Sequence, residues 1–183
     1  MFELESFIKK YVTKRAKSMF VDDINNNYNK ISEKIFNKSV LVIGGAGSIG
    51  SSFIKAILTF RPAELVVVDI NENALAELTR DLRSTKGMYI PNKYITYPMD
   101  FFSPVFEKML KKHGEFDIVG NFSAHKHVRS EKDIYSVEAL LQNNVIHAKR
   151  LLDLLSAYPP EEYFCVSTDK AANPVNIMGA SKR

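Results

Sequence analysis

From Ser39 onward the chain alternates between short apolar segments and longer amphipathic segments. Strands that are apolar throughout and are separated by helices are typical of a parallel sheet covered by helices on both faces. We therefore predict an α/β fold built on a doubly wound parallel sheet. The five predicted strands are residues 39–43, 65–70, 94–98, 116–122 and 162–167.

Helical periodicity accounts for most of the sequence between these strands. The clearest predicted helix, 134–157, carries apolar residues at intervals of three and four along its length. Further helices are predicted after a glycine cluster, ending at Phe60, and at 72–83 and 105–112. Residues 3–36 predict two more helices, the second weakened near its start by three consecutive asparagines. The apolar stripes of these two helices fit either the chain's own domain or a subunit contact.

We divide the chain into a helical N-terminal extension, 1–37, and a sheet domain, 38–183. A doubly wound nucleotide-binding sheet usually has a sixth strand and further elements beyond the point that this chain reaches. We therefore expect the sheet domain to be truncated before a substrate-binding part. On this interpretation the chain is the front portion of a longer enzyme.

Composition narrows the class of protein. Hydrophobic residues make up 45% of the chain and charged residues 25%, which excludes a disordered chain and a disulfide scaffold. Apolar runs stay below the roughly 18 residues of a membrane span, and the first residues do not resemble a secretory signal. We therefore expect a cytoplasmic protein with no membrane span.

The net charge of +4 is concentrated at one end of the chain. Residues 1–38 contain eight basic and five acidic side chains, whereas the remainder contains 17 basic and 16 acidic ones. We interpret the excess as a solvated helix face and expect no nucleic-acid partner. Contact with a polyanion or a membrane surface is the alternative.

Cysteine and histidine usage favours neither a disulfide nor a metal site. Cys165 is the only cysteine, so a reducing compartment is expected, and its place in a predicted strand indicates core packing. His125 and His127 lack accompanying carboxylates, so we predict no metal site. His113 and His147 are expected at the surface.

Four of the eight glycines lie within seven residues, directly after the first predicted strand. Glycines in such a turn allow a tight bend, close approach of backbone N–H groups to a pyrophosphate, and close packing of helix against strand. The phosphate charge then lies at the positive N-terminus of the next helix. No Gly-Lys-Ser/Thr sequence follows, which excludes an NTPase P-loop. The cluster predicts a Rossmann-type dinucleotide-binding turn formed by Gly44, Gly45, Gly47 and Gly50.

An acidic residue follows the glycine cluster at the spacing that a dinucleotide requires. Asp69 ends the second predicted strand 19 residues after Gly50, where a carboxylate accepts hydrogen bonds from the adenosine ribose. A carboxylate there repels a 2′-phosphate, and no arginine follows directly, so we predict NAD rather than NADP. Asp100, ending the third predicted strand, is expected beside the adenine. The alternative for each aspartate is a cap on the following helix.

A second polar motif follows the fifth predicted strand, at the edge where ligands collect in open α/β sheets. Residues 167–183 read STDKAANPVNIMGASKR. Thr168, Asp169 and Lys170 offer a hydrogen-bond donor, a general acid or base, and a cation. The structural alternative makes Asp169 and Lys170 a surface ion pair and Thr168 a helix cap.

Three stretches carry a resemblance to a known family: VLVIGGAGSIGSSF, NFSAHKHV and VSTDKAANPVNIMGASKR. They resemble the extended short-chain dehydrogenase/reductase superfamily and, within it, the UDP-N-acetylglucosamine 4,6-dehydratases of bacterial polysaccharide biosynthesis. The similarity runs from about Ser39 to Arg183 and covers the cofactor-binding half of that family. The glycine motif occurs in many unrelated dehydrogenases, whereas the last stretch is specific.

The resemblance implies a role for individual residues. The pyrophosphate would lie at the glycine turn, the ribose at Asp69, and the nicotinamide ribose at Lys182, while Asn144 would order the active site. The implied cofactor-binding residues are Gly44, Gly47, Ser48, Ile49, Gly50, Asp69, Asp100, Phe101, Ser123, Ala124, Lys126, Asn144 and Lys182. The implied catalytic residues are Thr168, Asp169, Lys170 and Lys182.

The resemblance also implies a reaction, the NAD-dependent dehydration of a UDP-sugar, and a homo-oligomer. Hydride would leave sugar C4 and return at C6, with loss of water across C5 and C6 in between. Lys170 would abstract the C5 proton, Asp169 would protonate the departing C6 oxygen, and Thr168 would hold the C4 oxygen. The ammonium groups of Lys170 and Lys182 are expected to lower each other's pKa and free one amine as a base.

One position departs from the superfamily pattern. The usual Tyr-x-x-x-Lys is here MGASK, with Met178 in the place of the tyrosine and Lys182 retained. Methionine cannot take a proton, so the base for the first oxidation stays open. A branch of the dehydratases shares the change, which favours that branch. The alternatives are a nucleotide-sugar 4-epimerase or reductase on the same fold, and a non-catalytic NAD-binding or oligomerisation module.

Overall fold

The apolar segments form one parallel sheet in the computed structural model, which describes residues 3–15, 17–126 and 131–183. The strands are β1 Ser39–Ile43, β2 Glu64–Asp69, β3 Lys93–Pro98, β4 Ile118–Asn121 and β5 Glu162–Cys165. Their order is β3-β2-β1-β4-β5, and every neighbouring pair is parallel. The chain builds outward from β1 and then crosses back to place β4 on the other side. This reversal confirms the doubly wound sheet.

Helices follow each strand of the sheet. They are α4 Ser48–Leu58, α5 Glu72–Ser84, α6 Pro104–His113, α7 Ile134–Leu141, α8 Ala148–Leu155 and α9 Ile177–Ser181. Side chains cap four of them at the N-terminus: Asn71 caps α5, Ser103 caps α6, Asp133 caps α7 and Asn176 caps α9. The predicted helix 134–157 is not regular throughout. A π-helical segment, Gln142–His147, joins α7 to α8.

The N-terminal residues form a separate compact unit, Met1–Lys34, while Ile35–Arg183 forms the unit that contains the sheet. The helices here are α1 Leu4–Phe7, α2 Val21–Asn26 and α3 Tyr28–Ile35, and a π-helical turn, Ile8–Val12, continues α1. The second of the two predicted helices is thus divided into α2 and α3, at the asparagines that weakened its pattern. No helix in the described ranges has the length and apolarity to cross a bilayer.

Successive residues of the central strands point to opposite faces of the sheet and enter two separate apolar layers. One layer contains Val40, Val42 and Val67, packed with side chains of α4 and α5. The other contains Leu41 and Ile43, packed with side chains of α6 and α8. Both faces of the central strands are therefore covered, which explains their unbroken apolar sequence.

Two sequence predictions fail at the periphery of the sheet. Cys165 is exposed rather than part of the core, because it is the last residue of β5, which pairs with β4 alone in the described chain. His113 is only partly exposed, with 22% of its side chain accessible to solvent. Its ring stacks on Phe116 with centroids 3.7 Å apart, and its Nε2 lies 3.1 Å from the carboxylate of buried Glu64.

Two adjacent leucines of α8 allow a matched test of this packing. Leu151 is 1% exposed and lies in the second apolar layer, whereas Leu152 is 46% exposed. We expect Leu151→Ala to lower the free energy of unfolding by about 2–5 kcal/mol, since it leaves a cavity. Leu152→Ala should lower it by less than about 1 kcal/mol. Urea denaturation measures both, and equal losses would contradict the layer assignment.

Candidate functional site

A crevice lies at the carboxyl ends of the strands, where the strand order reverses beside β1. It consists of two cavities of about 660 and 340 Å³. Both are lined by Gly44, Gly47, Phe122, Ala124 and Lys126, so they adjoin at the glycine turn. Open α/β sheets bind ligands at this place.

Nearly all of the residues singled out in the sequence meet in this crevice. The larger cavity is also lined by Asp69, Asp100, Phe101 and Ser123. The smaller cavity is also lined by Ser48, Ile49, Gly50, Thr168, Lys170 and Lys182. Asn144 and Asp169 line neither cavity. The two motifs, more than 110 residues apart in the chain, therefore share one site.

The protein's own backbone requires glycine at two positions of the turn. Gly44 has a left-handed φ of +71°, and a Cβ there would lie 2.7 Å from the Ser123 backbone nitrogen. A Cβ on Gly50 would collide with the Gly44 carbonyl oxygen and lie 2.8 Å from the Cα of Gly45. These glycines let the turn, α4 and the end of β4 approach one another closely.

Gly47 is different, because the protein leaves room beside it. A Cβ there would meet only the Gly44 carbonyl oxygen, at an ordinary contact distance of 3.5 Å. Gly47 is also the N-cap of α4, and no side chain caps that helix. The turn thus presents the positive end of an 11-residue helix to both cavities. Open space beside uncapped N–H groups fits the close approach of a pyrophosphate.

Asp69 fastens the glycine turn to the end of β2. Its Oδ2 accepts a hydrogen bond from the Ala46 N–H and its Oδ1 accepts one from the Asn71 N–H, both at 3.0 Å. Each carboxylate oxygen retains a lone pair that can accept from a ribose hydroxyl. Asp100 is similar, since its Oδ1 accepts from the Phe102 N–H at 2.9 Å. Both aspartates accept hydrogen bonds from backbone N–H groups of nearby loops, and both also border the larger cavity.

Phe102 and His147 form a wall of the larger cavity that the sequence reasoning missed. Their rings stack in parallel with centroids 3.6 Å apart, and the Arg150 guanidinium lies 4.6 Å from the Phe102 centroid. Burial lowers the pKa of His147, which favours the neutral ring. His147 follows buried Asn144 by three residues and precedes buried Leu151 by four. Residues at these spacings share one face of a helix, and this was the sequence signal that His147 faces inward.

Asn144 connects two parts of the site without lining a cavity. Its Oδ1 accepts from the His125 N–H, and its Nδ2 donates to the His125 carbonyl oxygen and to the Ser181 Oγ, each at 2.9 Å. These bonds occupy both the oxygen and the nitrogen of its side-chain amide. The residue therefore positions the loop after β4 against α9, in keeping with the ordering role that the resemblance implied.

The polar motif after β5 forms a short 3₁₀ turn, Asp169–Ala171. The Thr168 hydroxyl donates to the Asp169 Oδ1 at 2.9 Å. This bond and the Lys170 N–H hold the pKa of Asp169 below its usual range. The side chain is accordingly a carboxylate at neutral pH and does not have the proton that a general acid needs.

Lys182 and Met178 are placed by the packing of α9 against this turn. A Cβ on Gly179 would lie 2.6 Å from the Lys170 carbonyl oxygen, so glycine is needed for the approach. Met178 is 2% exposed, and its N–H donates to the Glu131 Oε1 at 2.6 Å. Burial lowers the pKa of Lys182. We expected the neighbouring ammonium of Lys170 to lower this pKa. That expectation was wrong, because the cause is burial.

The described residues contain no cluster of three or more histidine, cysteine, aspartate or glutamate side chains that could hold a metal ion. His125 lines the larger cavity. His127, its partner in the weak His-x-His pattern, lies outside the described residues.

Fold and crevice together define a Rossmann-type domain with a glycine turn at its switch point. A family model described as "Polysaccharide biosynthesis protein" matches residues 40–183. The chain belongs to this family.

Curated relatives are longer than this chain. It is 36% identical over 162 residues to "Uncharacterized membrane protein MJ1061" of Methanocaldococcus jannaschii, covering 87% of the chain and 43% of the relative. It is 27% identical over 150 residues to a "UDP-N-acetylglucosamine 4,6-dehydratase (inverting)" of Campylobacter jejuni, covering 81% and 42%. A "UDP-glucose 4-epimerase" of Rickettsia canadensis is 29% identical over 151 residues, covering 80% and 41%. The chain thus spans less than half the length of these relatives.

Solved structures share the fold. The X-ray structure of Pen from Bacillus thuringiensis has a TM-score of 0.69 at 22% identity, covering 81% of this chain and 42% of that one. The Bordetella bronchiseptica enzyme WbmF in complex with NAD⁺ has a TM-score of 0.60 at 20% identity, covering 81% and 43%. At these identities the likeness concerns architecture.

Two glycines of the turn allow a matched test of its geometry. Gly50→Ala should lower the free energy of unfolding markedly, because its methyl group collides with the Gly44 carbonyl oxygen. Gly47→Ala should lower it by no more than about 1 kcal/mol, the usual difference at a helix N-cap. The midpoints of thermal unfolding compare the two variants. A Gly47→Ala protein as unstable as Gly50→Ala would contradict the space described beside Gly47.

Proposed function

We propose that the crevice binds NAD, with the pyrophosphate at the glycine turn and the adenosine in the larger cavity. The observation that carries the proposal is the room beside Gly47 at the uncapped start of α4, which the protein's own packing does not require. Asp69 lies where the adenosine ribose would follow the pyrophosphate. WbmF, which shares the fold, is described in complex with NAD⁺.

The charge around the larger cavity favours NAD over NADP. Asp69 and Asp100 both border it, and a 2′-phosphate beside either carboxylate would be repelled. Burial favours the neutral form of His147, so that ring adds no compensating positive charge. The nicotinamide would then enter the smaller cavity, beside Thr168, Lys170 and Lys182.

We further propose that the protein takes part in a 4,6-dehydration of UDP-N-acetylglucosamine in polysaccharide biosynthesis. Its support is the family membership, the similarity to the Campylobacter jejuni dehydratase, and the hydroxyl and amine groups that line the smaller cavity. Bound NAD supplies the hydride acceptor and donor for the sugar carbons. The chain spans 42% of that dehydratase. We therefore propose, as part of the same hypothesis, that the full-length product supplies contacts with the sugar nucleotide.

The residues of the turn after β5 would then handle the protons. The Thr168 hydroxyl rotates from Asp169 to the sugar C4 oxygen, which removes the hydrogen bond that chiefly stabilises the Asp169 carboxylate. Without that bond the pKa of Asp169 rises toward its usual range, and the carboxylate takes up a proton from solvent and delivers it to the departing C6 oxygen. Lys170, which lines the smaller cavity, removes the C5 proton and returns a proton to C5 when the hydride adds at C6.

Lys182 is the amine whose surroundings favour the neutral form. Burial lowers its pKa, so a neutral amine is available at lower pH than for a lysine in water. Since Met178 cannot take a proton, Lys182 would accept the C4 hydroxyl proton in the first oxidation. An epimerase needs no acid at C6, so the Asp169–Lys170 pair favours dehydration.

Cofactor selectivity can be tested on the 183-residue chain. Asp69→Asn should weaken NAD binding about tenfold, because charge-assisted hydrogen bonds to the ribose become neutral ones, and should reduce discrimination against NADP. Isothermal titration calorimetry with both nucleotides measures this ratio. Asp153→Asn, an exposed change on α8, is the matched control. Equal affinity of the unaltered chain for NAD and NADP would refute the selectivity argument.

The reaction can be tested by mass spectrometry of UDP-N-acetylglucosamine incubated with the gene's full-length product. A product lighter by one water is expected, and Asp169→Asn should slow its formation by roughly 10²–10⁴-fold, the usual contribution of a general acid. NAD affinity should not change, because Asp169 lines neither cavity. Asp153→Asn again serves as control. A product of unchanged mass would indicate an epimerase, and undiminished turnover of Asp169→Asn would remove this residue from the mechanism.

A further inference from the structure

The N-terminal unit contains a short helical segment with an apolar face in contact with solvent. The leading segment, residues 4–15, carries its large apolar side chains at the spacing i, i+3, i+4, i+7 and i+8, which places them on one side of a helix. Each of these side chains is between 38% and 65% exposed. They are Leu4, Phe7, Ile8, Tyr11 and Val12.

The charge of the leading segment is strongly positive. It contains four basic residues and one acidic residue, a net charge of +3. Lys9 and Lys10 fall on the side of the helix away from the apolar stripe, and Lys14 and Arg15 follow the C-cap residue Thr13. An apolar face flanked by cations is the pattern of helices that lie at the surface of anionic membranes.

The helical part is too short to do more than lie on a bilayer. Leu4–Phe7 and Ile8–Val12 together form nine helical residues, about 14 Å at the usual rise per residue. A bilayer's hydrocarbon core is about 30 Å thick. The aromatic rings of Phe7 and Tyr11 lie with centroids 5.0 Å apart, and the amphipathic ring of Tyr11 favours the headgroup region. The Lys10 ammonium lies 5.2 Å from the Tyr11 centroid, a cation–π contact that places a positive charge at the edge of the apolar stripe.

We propose that the leading segment binds the surface of an anionic lipid bilayer, with its apolar side chains inserted and its cations at the lipid headgroups. Charge complementarity favours an anionic bilayer over other binding partners. A second copy of the chain would bring an identical +3 segment against the first, which is unfavourable. A nucleic acid would engage the cations and leave five exposed apolar side chains in water.

The test is cosedimentation of the 183-residue chain with vesicles of phosphatidylcholine alone or of phosphatidylcholine and phosphatidylglycerol in equal parts. We expect binding to the anionic vesicles only, reduced in 0.5 M salt because screening weakens the headgroup contacts. Lys10→Glu/Lys14→Glu and, separately, Ile8→Ser/Tyr11→Ser should each lower the partition coefficient at least about tenfold. All four positions are exposed, so the changes leave the sheet domain folded.

The matched control places the same two charge reversals on exposed lysines of the sheet domain, Lys86→Glu/Lys108→Glu, and should retain vesicle binding. Equal binding to both vesicles, no binding to either, or an equal loss in the control would overturn the proposal. So would an oligomer that dissociates in Ile8→Ser/Tyr11→Ser without any vesicle binding, because the apolar face would then belong to a second copy. NAD affinity, measured on the same variants, should be unchanged, so this test is independent of the proposed reaction.

Discussion

The contact between the glycine turn and the ends of three strands is the constraint on which the site depends. The Gly44 N–H donates to the Val68 carbonyl oxygen of β2, and the Phe122 N–H donates to the Ile43 carbonyl oxygen of β1. Any Cβ on Gly44 would press on the backbone at Ser123. The ends of β1, β2 and β4 are thereby held together at the reversal of strand order. At the junction of the two cavities, the crevice is therefore bordered by the backbone of Gly44 and Gly47.

The architecture was accessible from the sequence because both faces of the central strands are buried, which leaves an unbroken apolar pattern. The glycine turn was accessible because the backbone leaves no room for a Cβ at Gly44 and Gly50, and Asp69 because it follows that turn at the end of the next strand. Cys165 was misplaced because a strand pattern does not reveal whether the strand lies at an edge. The π-helical segment at 142–147 was also missed, because apolar spacing barely distinguishes one extra residue per turn. His147 owes its stacking to tertiary contacts that no local pattern encodes.

The part of the site formed by the last residues of the chain is held in place by side-chain amides. Asn144 joins the loop after β4 to Ser181, and Asn176 caps α9 by accepting from the Gly179 N–H at 2.8 Å. Glu131 accepts from the Met178 N–H. Neutral amides and one carboxylate thus define where Lys182 emerges beside the turn at Thr168. The position of Lys182 depends on this network, although most of its members touch no cavity.

The two cavities adjoin at Gly44 and Gly47, and this junction has an energetic consequence for any ligand that fills both. Once one end of such a ligand is seated, the other end is confined near its own cavity at a high effective concentration. The loss of translational and rotational freedom is then incurred once for the whole molecule rather than once for each half. A dinucleotide that filled both cavities would therefore be held far more tightly than its two mononucleotide fragments, through covalent connection across a turn that has no side chain in the way.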